Sequence, residues 1–559
     1  MSVTYIMHCL HAFLHALMIM LLIPYTASTF NYSFYLVVRR VSYFTCISLP
    51  DVFTLVLQVV SMLVLLTAVF KGVEARSVKK ALCKATPSAI VVVAVAYSSR
   101  YLLLLALVLS LAELLHEAIN DYVDRLLTLY TISAFFAAST IAQITALMGV
   151  QLLHLVNLAN YVWGVLQPIT PYFYLSTLSL SLIVILKNFN NDEGLSQQAR
   201  VSLSELAYVA LGAMLSVLFY VTPYTWVVNP RGFIATTDIV YYSKWLSEMT
   251  ASGDPIGFAA SVNSGDRPLY LLLLYCIKVI SGRDEWFAST ISGWMWAPLL
   301  TLSTWYMARE LYGVKVGRIT ALITPMSHQA MAFIYGGFQA NQLNLALIYL
   351  AIGLLAKPLL RRVIASALVL FASLYIHAWS WLQVVPAIGL WIVAKAFKGC
   401  SRRSLVPIAA VLTSITLSIA LRYQVILSML QYSGSMISVE GASTSLEAKL
   451  LGLSNTFSFY IWGALGIPLV HILALIAQAL RIKGSESIDV LDYLNLTTLV
   501  EVLAFAHNVS FTSRICLNTP IHLYSSKITK SMSTAFKIAV LIMLLNTSIY
   551  MSLNAAPKP

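Results

Sequence analysis

Asp238 stands in NPRGFIATTDIVYYSKWLSEMT (229–250), near the start of a predicted helix that runs to about Met249. On that helix Asp238, Tyr241, Tyr242 and Trp245 fall on neighbouring turns, joining one carboxylate to a row of aromatic rings. Such a carboxylate can act as a general base or hold a cation. It can also do no more than cap the helix, since Thr237 or Asp238 offers an oxygen to an orphan amide. A second stretch, YGGFQANQLNLAL (335–347), gathers Gln339, Asn341, Gln342 and Asn344 within six residues. Carboxamides both donate and accept hydrogen bonds but carry no charge. They can line a polar site or tie helices together inside an apolar bundle. Candidate cations are Arg231, Lys244, Arg267 and Arg514, and His377 lies in YIHAWSW beside Trp379 and Trp381. A long polar connection, 422–455, carries Glu440 and Glu447, the latter closing TSLE (444–447).

The elements that must position these groups are apolar. The chain has 559 residues, 59% hydrophobic and 10% charged, whereas soluble domains carry about 25% charged residues. That predicts an all-α polytopic membrane protein without a sizeable soluble domain. Apolar stretches long enough to cross a bilayer recur near 5–25, 50–70, 88–112, 126–147, 149–166 and 171–186. A second set lies near 205–228, 268–281, 287–308, 317–335, 341–356, 363–381, 383–397, 404–421, 456–480, 490–506 and 534–553. The polar stretch 187–200 separates the sets, which predicts an N-terminal membrane module over 1–200 and a second over 201–559. The net charge of +13 comes from short loops such as KGVEARSVKKALCK (71–84), the pattern of positive-inside sorting rather than of nucleic-acid binding. The cysteines are scattered, with no metal or redox spacing. With 71–84 inside, parity puts the 229–268 loop outside and Asp284 and Glu285 back on the inner side. Reading 126–166 as one span reverses the sides.

The Asp238 loop, then RPLYLLLLYCIKVISGRDEWFASTISG (267–293), then YMARELYGVKVGRITALITPMSHQAMAFIYGGF (306–338) resemble the GT-C superfamily of membrane glycosyltransferases. Within it the similarity is greatest to the catalytic subunit of oligosaccharyltransferase, over roughly 205–480. The resemblance implies a multispan helical bundle. It also implies transfer of a sugar or glycan from a polyprenyl-phosphate carrier to a protein or glycan acceptor, at the outer face of what is expected to be the plasma membrane. It puts Asp238 at the reacting centre, with Tyr242, Arg267, Gln339, Asn341, His377 and Arg514 contacting substrate. Arg514 would take the lipid phosphate. Members carry a G-x-x-D-x-[DE] motif whose acids join the early Asp around a divalent metal, Mg or Mn. Here Gly336 to Asn341 occupies that place, and Gln339 and Asn341 stand where acids would be. Asp238 and Glu447 would remain as metal ligands. Two lost negative charges weaken any such site, because these cations favour anionic oxygen. The W-W-D-Y-G motif that reads the acceptor sequon is missing. Two other classes fit the same composition: a membrane scaffold that keeps the fold without the chemistry, and a multispan transporter or lipid flippase.

Overall fold

The computed structural model describes residues 170–188, 201–225, 236–357, 359–397, 402–428, 468–484, 488–505 and 509–531, with isolated positions elsewhere. The spans expected before residue 167 fall outside these stretches. The chain divides into two compact units, 1–169 with 533–546 and 170–532 with 547–559. The helices below belong to the second. They are α1 (Thr170–Asn188), α2 (Leu203–Val221), α3 (Thr237–Ala251), α4 (Pro255–Ser261), α5 (Pro268–Ser281), α6 (Glu285–Tyr312), α7 (Val314–Ile323) and α8 (His328–Gly336). Then follow α9 (Gln339–Leu355), α10 (Leu360–Ile376), α11 (Ala378–Phe397), α12 (Arg402–Leu421), α13 (Pro468–Gly484), α14 (Val490–Ala504), α15 (Val509–Leu517) and α16 (His522–Ser531). No strand occurs among the described residues. One helix among them, Leu203–Tyr224, is long and apolar enough by length and composition to cross a membrane.

Local sequence sets where these helices start and stop. Ser202, Asp284 and Ser327 cap α2, α6 and α8 through their side-chain oxygens. Pro268 opens α5, where its missing N–H costs nothing, and Gly282 closes it in the left-handed region. α6 is the central strut, packed on α2, α3, α5, α7 and α9. It runs antiparallel to α2: Glu205 meets Arg309 at one end, Ser216 bonds Thr301 at 2.6 Å in the middle, and Tyr220 lies against Gly293 near the other end. A small residue makes the α2–α7 crossing close, because a Cβ on Gly212 would stand 2.0 Å from the Ala321 carbonyl oxygen. Small residues and hydroxyl bridges are how helices associate when hydrophobicity alone does not drive them together.

This geometry corrects the parity reading of α5. With 268–281 as a span, Asp284 and Glu285 would sit opposite Asp238. Instead Ser243 on α3 donates to the Glu285 carbonyl at 3.4 Å, and Lys278 bonds both Thr250 and Glu285. So α3, α5 and the start of α6 share one end of the bundle, and α5 does not cross it. The 28 residues of α6 measure roughly 42 Å at 1.5 Å per residue. That length lets α6 run the whole bundle and still project beside α3. Apolar content alone cannot tell such a projecting helix from a crossing one.

The opposite end is closed by buried ions. Arg309 bonds Glu205 at 2.9 Å and Glu310 at 3.0 Å, while Arg362 and Lys357 reach Glu310 at 2.8 and 3.2 Å. Burial would raise the Glu310 carboxyl, but the bonds and charges of Arg362 and Lys357 outweigh it and hold the group below its ordinary range.

Candidate functional site

The elements converge at the end where α2 finishes and α3 begins. α3 is capped by Thr236, without a side-chain cap bond, so the capping role expected of Thr237 or Asp238 is not used. Asp238 lies in the first turn of α3, where the helix dipole favours its negative charge. Its carboxylate makes no hydrogen bond or ion pair with any described residue, although it is largely buried. Burial raises its pKa, and the charges of Arg267 and Arg514 oppose that rise.

The turn between α8 and α9 closes on this helix start. Gly337 has φ +67°, and a Cβ there would lie 2.4 Å from the Thr236 Oγ1 and 3.5 Å from the Asp238 Cβ. The glycine is therefore needed twice, for its backbone and for its missing side chain. Gly337→Ala is expected to lose about 1–2 kcal/mol for the left-handed backbone alone, with more from the clash. Chemical unfolding in detergent measures it, and an unchanged midpoint would refute the constraint.

The structure brings the predicted substrate-contacting residues to this end but gives them different states. Arg267 is spent: Nε bonds Asp266 Oδ1 at 2.9 Å, Nη2 bonds Oδ2 at 2.6 Å, and Nη1 donates to Tyr242 Oη at 2.9 Å. Tyr242 is buried and packs its ring on Tyr270, with centroids 5.0 Å apart. Its hydroxyl is pushed up to about 12, chiefly by burial. Gln339 is fully buried, and its Oε1 accepts from Tyr270 at 3.0 Å and Ser292 at 2.7 Å. Asn341 donates to Asn518 Oδ1 at 3.0 Å. Asn344 donates to the His377 carbonyl at 3.1 Å and to Ser380 at 2.7 Å. His377 Nδ1 is engaged by Ser380 at 2.8 Å, and its ring lies within electrostatic reach of Arg267 and Arg514. Arg514, on α15, is exposed, with its guanidinium 5.7 Å from the Phe338 ring and no ion pair among the described residues. Glu447, Glu440 and Arg231 lie outside the described residues. Lys244 points to solvent and pairs with Glu248 at 3.8 Å.

Sequence reasoning passed over Asp266, Phe338, Arg422 and Asn518. Arg422 donates to the Gly265 carbonyl and stacks on Tyr375 at 4.8 Å, so it braces the loop that carries Asp266 and Arg267. The pairing of Asp266 with its neighbour Arg267 had a signal in GDRP (265–268), a charge pair at a helix start. The other three are joined to the site only by folding.

Among the described residues, the donor set around Asp238 does not suit a divalent cation; Glu447 lies outside them. Asp266 is neutralised by Arg267, the Gln339 oxygen is taken by two hydroxyls, and the nearby formal charges are two arginines. Among the described residues no three His, Cys, Asp or Glu side chains are placed to hold a metal ion. The described residues instead leave the Asp238 carboxylate without a hydrogen bond or ion pair and within electrostatic reach of the Arg514 guanidinium, which lies over the Phe338 ring. That combination can take a proton and hold an anion. No family model, curated protein or solved structure matches the chain.

Proposed function

We propose that the chain is a polytopic membrane glycosyltransferase that moves a sugar or glycan from a polyprenyl-phosphate carrier to an acceptor at the Asp238 end of the bundle. The observation that carries this reading is the Asp238 carboxylate, largely buried, held against the Gly337 turn and without a hydrogen bond or ion pair among the described residues, within electrostatic reach of Arg514, which has no ion pair among them either. A membrane setting is supported by large apolar side chains that face outward along the helices, among them Leu203, Met214 and Leu218 on α2, Leu368 on α10 and Val500 on α14. The Asp238 end is then the outer face, as the loop parity has it.

In the reaction Asp238 takes the proton of the acceptor nucleophile. The nucleophile bonds the anomeric carbon, and the bond from that carbon to the phosphate oxygen breaks. The electron pair leaves with the polyprenyl phosphate, whose charge Arg514 offsets. Tyr242 and Arg267 hold the wall of the site, and the buried ion pair of Arg267 with Asp266 keeps that wall rigid. The polyprenyl tail lies against the apolar helix faces. No step needs a metal ion, which agrees with the amides that stand in place of an acid pair.

The test is in-membrane transfer from a pool of polyprenyl-phosphate sugars, with and without EDTA. Transfer that persists under chelation is the expected result. Labelled lipid that binds without any transfer would replace the enzyme by a scaffold. Movement of the intact lipid-linked sugar across a vesicle membrane would replace it by a transporter.

A further inference from the structure

The four amides need a use if they ligate no metal, and part of the answer lies at the end of α15. The last four carbonyls of a helix have no partner within it. In α15 and the residue after it, four consecutive carbonyls take side-chain donors from four different helices. Ile515 accepts from Gln383 of α11 at 2.8 Å, and Cys516 from Tyr174 of α1 at 3.4 Å. Leu517 accepts from Gln329 of α8 at 2.6 Å, and Asn518 from Tyr349 of α9 at 3.0 Å. Gln329 also donates to the Tyr349 hydroxyl at 2.7 Å, which leaves that hydroxyl's proton for Asn518. The Asn518 side chain is gripped as well: its Oδ1 accepts from Asn341, and its Nδ2 donates to the Gln383 Oε1. All of these side chains are buried, apart from the slight exposure of Gln383 and Asn341.

Arg514 immediately precedes the first of these carbonyls and is itself exposed. The geometry points to a positioning device: Gln383, Tyr349, Gln329 and Asn341 bolt the backbone after Arg514 to the bundle and so fix where its guanidinium can meet an anion. A long arginine side chain is flexible and loses rotamer freedom on binding. A fixed backbone, with the guanidinium over the Phe338 ring, limits that loss and sets the depth at which a lipid phosphate is met. The inference rests on the phosphate-binding role of Arg514 in the proposed function, but the bolt itself can be tested without a ligand.

Two variants of the full-length chain in nanodiscs separate the possibilities. Tyr349→Phe removes one hydroxyl, and Gln383→Met removes one amide at nearly equal volume. Hydrogen exchange over residues 509–518 is expected to quicken about tenfold in each, the loss of one buried hydrogen bond. Farnesyl phosphate, titrated as the probe, is expected to bind about tenfold more weakly for the same reason. In an Arg514→Gln background the two variants are expected to cause no further loss, because the bolt acts through that side chain. Exchange that stays at the wild-type rate overturns the bolt, whatever happens to binding. Loss of equal size in the Arg514→Gln background overturns the positioning role. Faster exchange in the variants, with no binding of farnesyl phosphate by the wild type, keeps the bolt and removes the phosphate-lipid reading of the site.

Discussion

Asp238→Asn is expected to lower sugar transfer by about 10²–10⁴-fold, the usual contribution of a positioned general base, while leaving the protein as stable as wild type or more so. The stability half follows from the direction of the pKa. Burial holds the Asp238 carboxyl above its ordinary value, and Arg267 and Arg514 compensate only in part. A carboxyl whose folded pKa is raised stabilises the fold while it is protonated, at low pH. That stabilisation is lost as pH rises through the folded value. At neutral pH the ionised carboxylate is therefore a burden on the fold, and a neutral isostere relieves it. A residue kept only for packing or capping would show the reverse, a loss of stability without a specific loss of transfer. The same shift places the acidic limb of the transfer–pH profile above the range of an ordinary aspartate, since the base works only when ionised. Transfer assays across pH, with unfolding measured in parallel, check both halves. An asparagine variant that retained more than about a hundredth of wild-type transfer, the lower bound for base catalysis, would remove Asp238 from the mechanism.

Arg481→Met is expected to cause the largest loss of stability among single changes, about 3–5 kcal/mol, because it strips the partner from buried carboxylates. Arg481 is fully buried and bonds both Asp492 oxygens, at 2.5 and 2.8 Å. It also reaches Asp489 at 3.3 Å and Gln478 at 3.0 Å, and lies 5.6 Å from the Tyr524 ring. Asp489 and Asp492 in turn form the capping box that starts α14, and Asp489 accepts from Tyr312 at 2.7 Å. One guanidinium thus joins α6, α13, α14 and α16. Burial and the charge of Asp492 already hold Asp489 above the ordinary aspartate range, and Arg481 is the main influence lowering it. Without Arg481 the shift grows, so the variant should recover stability as pH falls and lose it as pH rises. Denaturant unfolding in detergent at pH 5 and pH 8 checks this. A variant less stable at pH 5 than at pH 8 would contradict it. Adding Asp492→Asn should restore part of the loss, since it removes one of the stranded charges.

Much of the secondary structure could be read from residues 201–397. The caps at Ser202, Asp284 and Ser327, the proline that opens α5 and the glycine that closes it are local signals that act within a few residues. The described stretches are helical, as the long apolar runs of the sequence led one to expect. Asp238 was likewise legible, as a lone carboxylate on an aromatic helix edge. The capping role expected of Thr237 or Asp238 is not used, because Thr236 begins the helix one residue before those positions.

The amides mark the boundary between the two kinds of information. Sequence established that uncharged hydrogen-bonding groups are concentrated at 339–344 and that an acid pair is not there. It could not say which partner each would find. Only folding sends Gln339 to Tyr270 and Ser292, Asn344 to His377 and Ser380, and Asn341 to Asn518. The same holds for α5, whose composition suits a crossing helix but whose contacts with α3 and α6 place it at one end. Composition and spacing fix what a segment can bury and which bonds it can make, because those are properties of the residues themselves. The choice of partner is a long-range event across as many as 177 positions for Asn341 and Asn518, and it is made only when the helices pack.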